Sequence, residues 1–194
     1  MKNVITGVSR IRMNALNEVM ADLSERTQAF RSVCDLERLT VAAVELVLKE
    51  AGILIPVGKD TVGIYIGIDD AIEEIKNEYL RNIVEEGLLG ASPLLFPFTS
   101  PNALAAQATI VFDIRGESIV MPCRGSMKNI AAYADERVCE GSMKMAITGS
   151  IFSLEKAAPG DRQNHEASFY VIESAESATS RGARTYENET ELFA

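Results

Sequence analysis

Three cysteines and a single histidine are the side chains of this sequence best suited to nucleophilic, acid–base or metal chemistry. Cys34, Cys123 and Cys139 lie far apart and form no Cys-x-x-Cys pair, which excludes zinc ribbons and thioredoxin-like redox motifs. His165 stands in the polar run GDRQNHEAS, so we predict a solvated loop residue and no metal site. A mechanism that needs two imidazoles from this chain is impossible.

The composition predicts one acidic globular domain. The chain has 194 residues, 47% of them hydrophobic, with 19 Lys and Arg against 28 Asp and Glu, a net charge of −9. Because phosphate binding needs clustered Lys and Arg, this balance argues against nucleic acid or anionic lipid as a partner. The sequence contains no apolar run of about 18 residues, and its start, MKNVITGVSR, lacks the apolar stretch of a signal peptide. We therefore expect a cytoplasmic protein.

Two short motifs resemble phosphate-binding loops but are incomplete. VITGVSR is similar to the start of a short-chain dehydrogenase, yet Ile11 and Met13 stand where later glycines belong, and no Tyr-x-x-x-Lys pair follows. Residues 58–60, Gly-Lys-Asp, lack the spacing and the Ser or Thr of a phosphate loop. We interpret Gly7 as the end of a first strand and residues 58–60 as a turn, and we expect no cofactor.

Alternating strand and helix patterns predict an α/β fold, with a mostly parallel five-stranded sheet and flanking helices. The domain is expected to cover residues 1–186, followed by an acidic tail at 187–194. Glycines at 52 and 141 are placed to end helices, and Asp69 or Asp70 to begin one. The predicted strands are 3–8, 61–68, 118–121, 143–148 and 168–172, and the predicted helices are 14–26, 36–51, 69–86, 103–112, 126–140 and 174–181. Residues 92–102 and 152–166 are predicted to be loops.

The middle of the chain resembles the β-ketoacyl synthase family of the thiolase superfamily. The segment FPFTSPNALAAQATIVFDIRGESIVM is similar to the family's Phe/Pro-rich loop, Pro-Asn helix, Gly-Pro-Ser turn and following strand. GSMKMA and FYVIES…ATSRGA resemble later family segments in the same order. The resemblance implies the N-terminal half of the thiolase fold, without the half that supplies the family's histidines.

In that family a cysteine nucleophile lies at the strand-to-helix turn, where a helix N-terminus lowers the thiol pKa. Counting from Gly141 places the nucleophile's position at Arg124, and counting from Gly116 places it at Gly125. Both counts miss Cys123, and Glu117 replaces the family proline. The resemblance therefore implies that the nucleophile is lost, with Cys123 the one remaining candidate.

A ketosynthase-like chain without a nucleophile resembles a chain-length factor, the inactive partner of an active ketosynthase. The resemblance implies that residues 116–121 form a strand across the dimer and that the Phe/Pro-rich loop reaches the partner's acyl chain, although core packing is an equal interpretation of the phenylalanines. The implied pocket and interface residues are Leu95, Phe96, Phe98, Thr99, Asn102, Gly116, Ser118, Ile119, Val120 and Met121.

The expected function is thus to pair with an active ketosynthase and shape its acyl pocket in fatty acid or polyketide synthesis. An acyl carrier protein would be an indirect partner, because the charge of −9 gives this chain little attraction for an acidic protein. Two alternatives remain open. One is a minimal acyl transferase or thioesterase that uses Cys123, and the other is a homodimeric scaffold without catalytic activity.

Overall fold

The computed structural model describes residues 2–30, 34–123, 127–154 and 165–186. Within these residues one five-stranded sheet runs in the order β1-β5-β4-β2-β3. The strands are β1 (Asn3–Arg12), β2 (Val62–Ile68), β3 (Ser118–Pro122), β4 (Met145–Ser153) and β5 (His165–Ser174).

The sheet is mixed rather than mostly parallel. Strand β2 pairs in parallel with β3 and β4, whereas β5 pairs antiparallel with β1 and β4. A parallel crossover needs about a dozen residues or more. The segment between Ser153 and His165 is shorter than that, so β5 returns beside β4 in the opposite direction. The predicted α/β class with flanking helices is confirmed.

Seven helices occur in the described residues, and their ends follow local capping chemistry. The side chain of Ser24 accepts a hydrogen bond from the backbone of Thr27, so a new helix begins within the predicted helix 14–26, which is split in two. Gly52, at φ +67°, follows the third helix as predicted. The helices are α1 (Leu16–Ala21), α2 (Glu25–Ala29), α3 (Asp35–Glu50), α4 (Glu73–Glu86), α5 (Asn102–Phe112), α6 (Lys128–Cys139) and α7 (Ala175–Ser180).

Helices cover both faces of the sheet. On one face α3 and α5 pack over the apolar side chains of the central strands, with Leu39, Val44 and Phe112 inaccessible to solvent. On the other face α6 packs through Ile130 and Ala134 against a smaller cluster. All seven residues of β2 are buried, which confirms the predicted buried parallel strand.

Gly7 does not end the first strand, as the sequence suggested, but lies inside it. Strand β1 continues to Arg12, with a shift in register between Ile5 and Gly7. A Cβ at Gly7 would lie 2.7 Å from the carbonyl oxygen of Val47 and 2.9 Å from the Cβ of Ala51. The glycine is therefore explained by the close approach of α3 to the sheet.

His165 is not a solvated loop residue. It begins β5 opposite Ser153 and is only 8% exposed. Strand β4 also extends beyond the predicted end, so both ends of the predicted loop 152–166 belong to the sheet. The rest of that loop and the predicted acidic tail lie outside the described residues.

Candidate functional site

Cys123 follows β3 and is held inside the protein. Its backbone N–H donates to the carbonyl oxygen of Ile68 at 2.8 Å. The side chain packs on Gly67, where an added Cβ would lie 2.7 Å from the cysteine Sγ. Only 6% of Cys123 is exposed. A substrate carbonyl therefore has little access to this sulfur.

The electrostatics of Cys123 also disfavour a nucleophile. Burial raises the pKa of the thiol to about 11, and the negative charge of Asp69 acts in the same direction. A cysteine nucleophile reacts as the thiolate, which low-pKa sites favour. At neutral pH Cys123 is thus a protonated, buried thiol. Arg124 and Gly125, the positions where counting placed the family nucleophile, lie outside the described residues.

Glu117 anchors the start of β3. Its carboxylate accepts hydrogen bonds from the hydroxyl of Tyr65 and the Nε of Arg137, each at 3.0 Å. The second carboxylate oxygen accepts from the same guanidinium. Next to it, a Cβ at Gly116 would lie 2.4 Å from the carbonyl oxygen of Val62. These contacts fasten β3 to β2 and α6.

Strand β3 has one free edge in the part of the chain that the structure describes. It pairs with β2 on one side only and ends the strand order. Val120 packs toward the α3 and α5 core, while Ile119 and Met121 face the α6 side. All three are half-buried. An unpaired edge with apolar side chains is a place where another chain can add a strand.

Helix α4 and the turns after it carry a group of exposed apolar side chains. We call this group the apolar surface. Leu80 and Val84 lie four residues apart on one face of α4, and Leu88 and Leu89 follow in the turn after the helix ends. Its members, with their exposed fractions, are Leu80 (56%), Val84 (84%), Leu88 (89%), Leu89 (95%), Leu94 (70%) and Phe96 (61%). Large exposed apolar patches mark sites of association.

The residues predicted to reach a partner's acyl chain differ in their exposure to solvent. Phe96 is exposed and lies against Tyr79, with ring centroids 5.9 Å apart. Leu95 and Phe98 instead turn inward and line a cavity beneath α4. Thr99 donates from its hydroxyl to the carbonyl oxygen of Phe96 at 2.8 Å. The two faces of the turn therefore have different surroundings.

The remaining predicted interface residues are Asn102 and Ser118. Asn102 is exposed and begins α5, a helix that contacts both β3 and the turn holding Phe96. Ser118 is exposed at the start of β3. The sequence motifs did not point to Leu80, Val84 or the Leu88–Leu89 pair, which lie within or just after the predicted helix 69–86. The four-residue spacing of Leu80 and Val84 was the available signal.

The described residues contain no candidate metal site and no candidate membrane span. No group of three or more His, Cys, Asp or Glu side chains there could hold a metal ion. None of the helices described is long and apolar enough to cross a membrane. The candidate site is therefore the open edge of β3 together with the apolar surface.

Comparisons with known proteins place this arrangement in a fold family. No family model and no curated protein sequence matches the chain. The ishigamide ketosynthase/chain length factor superposes with a TM-score of 0.72 at 18% identity, covering 94% of this chain and 60% of that one. A type II polyketide synthase ketosynthase with its acyl-carrier protein, AntDE:AntF, gives 0.67 at 20% identity over 93% and 65%. A β-ketoacyl synthase from Burkholderia phymatum STM815 gives 0.63 at 16% identity over 95% and 62%.

The chain therefore matches about half of the thiolase-like fold of the β-ketoacyl synthases. It spans less than two thirds of the length of these solved structures. The resemblance first seen in its sequence motifs is confirmed at the level of the fold.

Proposed function

We propose that this chain is a non-catalytic, chain-length-factor-like subunit, which pairs with an active ketosynthase and shapes its acyl pocket in polyketide or fatty acid synthesis. One observation carries the proposal. The apolar surface, exposed on α4 and its following turns, lies in a fold whose edge strand β3 is open. In the described residues, the apolar surface exposes apolar side chains to solvent, and the edge of β3 has backbone groups that pair with no other strand. A partner chain could bury the side chains and pair with the strand.

The state of Cys123 supports a non-catalytic role. The thiol is buried and its pKa is raised to about 11, so the one candidate nucleophile is protonated at neutral pH. His165, the only histidine, lies at the start of β5, whereas Cys123 follows β3. Strands β4 and β2 separate β5 from β3 in the sheet. The active partner would therefore provide the cysteine and the imidazoles of condensation.

The exposed side of the Phe96 turn is the part we assign to the partner's acyl pocket. Leu94 and Phe96 are 70% and 61% exposed, whereas Leu95 and Phe98 are half-buried and line a cavity of this chain. A large ring at the end of an acyl channel limits its length by simple exclusion of volume. Replacing Phe96 by Ala should therefore lengthen the partner's product, while Leu54→Ala should leave it unchanged.

Co-expression with a full-length ketosynthase that keeps its cysteine and histidines tests the pairing. Gel filtration with mass measurement should give a heterodimer. Leu88→Asp with Leu89→Asp should weaken pairing by about 30-fold or more, since charges buried at an interface centre are strongly unfavourable. Leu54→Asp is the matched control. Leu54 is also exposed, at 87%, but it comes before β2 in the chain, whereas α4 and the rest of the apolar surface come after β2.

Three results would count against the proposal. One is a stable monomer in the presence of the ketosynthase, with no effect on product length. Another is equal loss of pairing in the Leu54→Asp control. The third is a homodimer that excludes the ketosynthase, which would support the scaffold alternative, since the open edge of β3 could equally pair with a second copy.

A further inference from the structure

The outer strand at the end of the sheet opposite β3 carries a pair of exposed arginines. Arg10 and Arg12 lie two residues apart on β1, so their side chains share one face of the strand. These side chains are 63% and 60% exposed. Because β1 and β3 are the two ends of the strand order, the pair is separate from the edge proposed for the ketosynthase.

One buried carboxylate holds both guanidinium groups. Glu166 lies opposite Arg12 on β5, and its side chain is only 2% exposed. Its Oε1 lies 2.7 Å from the Nε of Arg10, and its Oε2 accepts from the Nε of Arg12 at 2.9 Å. The buried Oγ of Ser168 also accepts from the Nε of Arg10, at 3.3 Å. The two guanidiniums are therefore neighbours held in place by the sheet.

These contacts leave positive charge and hydrogen-bond donors unused. Two guanidiniums meet one carboxylate, which is a local surplus of positive charge in a chain whose net charge is −9. Both arginines donate to the described residues through Nε, and their Nη1 and Nη2 groups donate to none of them. The Nη groups of the pair can therefore donate to an acceptor that comes from outside these residues.

Protection of the edge strand does not explain the carboxylate. Exposed charges by themselves discourage another chain from pairing with an edge. Burial of Glu166 adds a desolvation cost, which a single arginine would offset as an ion pair. The second arginine supplies the surplus charge and a second planar donor group. Guanidinium groups are the side chains best suited to recognise phosphate oxygens, because their N–H groups form a rigid fork.

We propose that Arg10 and Arg12 bind the phosphate monoester group of a small molecule. Such a group has three terminal oxygens and a charge of about −1.5 to −2 at neutral pH, so it can engage both guanidiniums. A carboxylate has two oxygens and a single charge, which one guanidinium satisfies. The site goes beyond the proposed pairing with a ketosynthase and does not depend on it, so the two proposals fail or succeed separately.

Three small anions test the site on the full chain, without any partner, at low ionic strength and near neutral pH. They are methyl phosphate, dimethyl phosphate and acetate. Methyl phosphate should bind at least about tenfold more tightly than the other two, because only it combines three terminal oxygens with nearly two charges. In NMR titrations of the native chain, the largest shifts of backbone amide signals should fall at residues 9–12 of β1 and 165–168 of β5.

Three variants locate the binding. Arg10→Gln and Arg12→Gln each remove one guanidinium and leave the other beside Glu166, so each should weaken methyl phosphate by about tenfold. Arg115→Gln is the matched control, since Arg115 is 57% exposed and pairs with a carboxylate of its own, Asp113, at 2.9 Å. The control should change the affinity by less than about twofold.

Four results would each overturn the proposal. They are equal affinity for the three anions, a preference for acetate, which would indicate the carboxylates of an acidic protein, largest shifts outside β1 and β5, and an equal effect of Arg115→Gln. The anion preference and the shifts are measured on the native chain, so they decide the question even where an arginine variant fails to fold.

Discussion

Arg181 reaches from the end of α7 to Glu173, a carboxylate on β5 that is inaccessible to solvent. The guanidinium Nε lies 3.1 Å from each carboxylate oxygen, and Nη1 donates to the carbonyl oxygen of Ala51 at 2.6 Å. Hydroxyls of Thr6 and Ser177 also donate to the same carboxylate, at 2.7 and 2.8 Å. One ion pair therefore ties the sheet to α7 and to the end of α3.

We predict that Arg181→Met will lower the free energy of unfolding by about 3–5 kcal/mol, because it leaves a buried carboxylate without its counter-charge. Urea denaturation followed by circular dichroism measures this. Arg184→Met is the control, since Arg184 is 74% exposed and lies 3.7 Å from its partner Glu50. It should change stability by less than about 0.5 kcal/mol. Equal losses of stability in the two variants would mean that the ion pair of Arg181 with Glu173 contributes little to the free energy of unfolding.

The same carboxylate predicts a loss of stability in acid. Burial alone would raise the pKa of Glu173, but hydrogen bonds from Arg181, Thr6 and Ser177 outweigh it and hold the pKa below the ordinary value of 4.5. A group whose pKa is depressed by folding stabilises the protein above its unfolded pKa and loses that contribution as pH falls through the folded value. The stability difference between the native protein and Arg181→Met should therefore shrink below pH 4.5 in acid titrations of unfolding.

Cysteine labelling should separate the three thiols. Burial raises the pKa of both Cys123 and Cys34, whereas Cys139 is exposed on α6. Iodoacetamide at neutral pH should therefore modify Cys139 first, and mass mapping should find Cys123 and Cys34 largely unmodified. In denaturant all three should react at similar rates. Fast, selective modification of native Cys123 would instead support the acyl transferase or thioesterase alternative.

Gly7→Ala should destabilise the protein by about 1–3 kcal/mol, because the new methyl group overlaps the backbone of α3. The nearest atoms are the carbonyl oxygen of Val47 at 2.7 Å and the Cβ of Ala51 at 2.9 Å. Adding Ala51→Gly removes one of these contacts, so a double-mutant cycle in thermal unfolding should show partial rescue. Strictly additive losses would show that the approach of α3 to β1 does not depend on Gly7.

Glu117→Gln should lower stability by about 1 kcal/mol, because the carboxylate accepts from both Tyr65 and Arg137. Glu140→Gln is a matched change, since Glu140 also accepts from Arg137, at 2.8 Å, but is more exposed. Its effect should stay below about 0.5 kcal/mol. Chemical denaturation of both variants gives the comparison. A larger loss in Glu140→Gln would mean that Glu117 does not anchor β3.

The sequence by itself determined the local structure of this protein. The helical spacing of apolar residues predicted the long helix α3, and a glycine at position 52 predicted its end. A run of apolar and β-branched residues predicted the buried strand β2. These signals act between residues that are close together in the sequence. Ordered motifs along the chain also indicated the β-ketoacyl synthase fold, which the structural comparisons confirm.

Only the tertiary structure decided which surfaces are covered. The antiparallel return of β5 buries His165, although its neighbours in the sequence are polar. The same Phe/Pro-rich turn sends Phe96 outward and Phe98 inward. Whether these positions are covered depends on contacts between residues far apart in the chain, which the local sequence around them does not specify. The open edge of β3 and the apolar surface are consequences of that packing, and they are the features that the proposed pairing depends on.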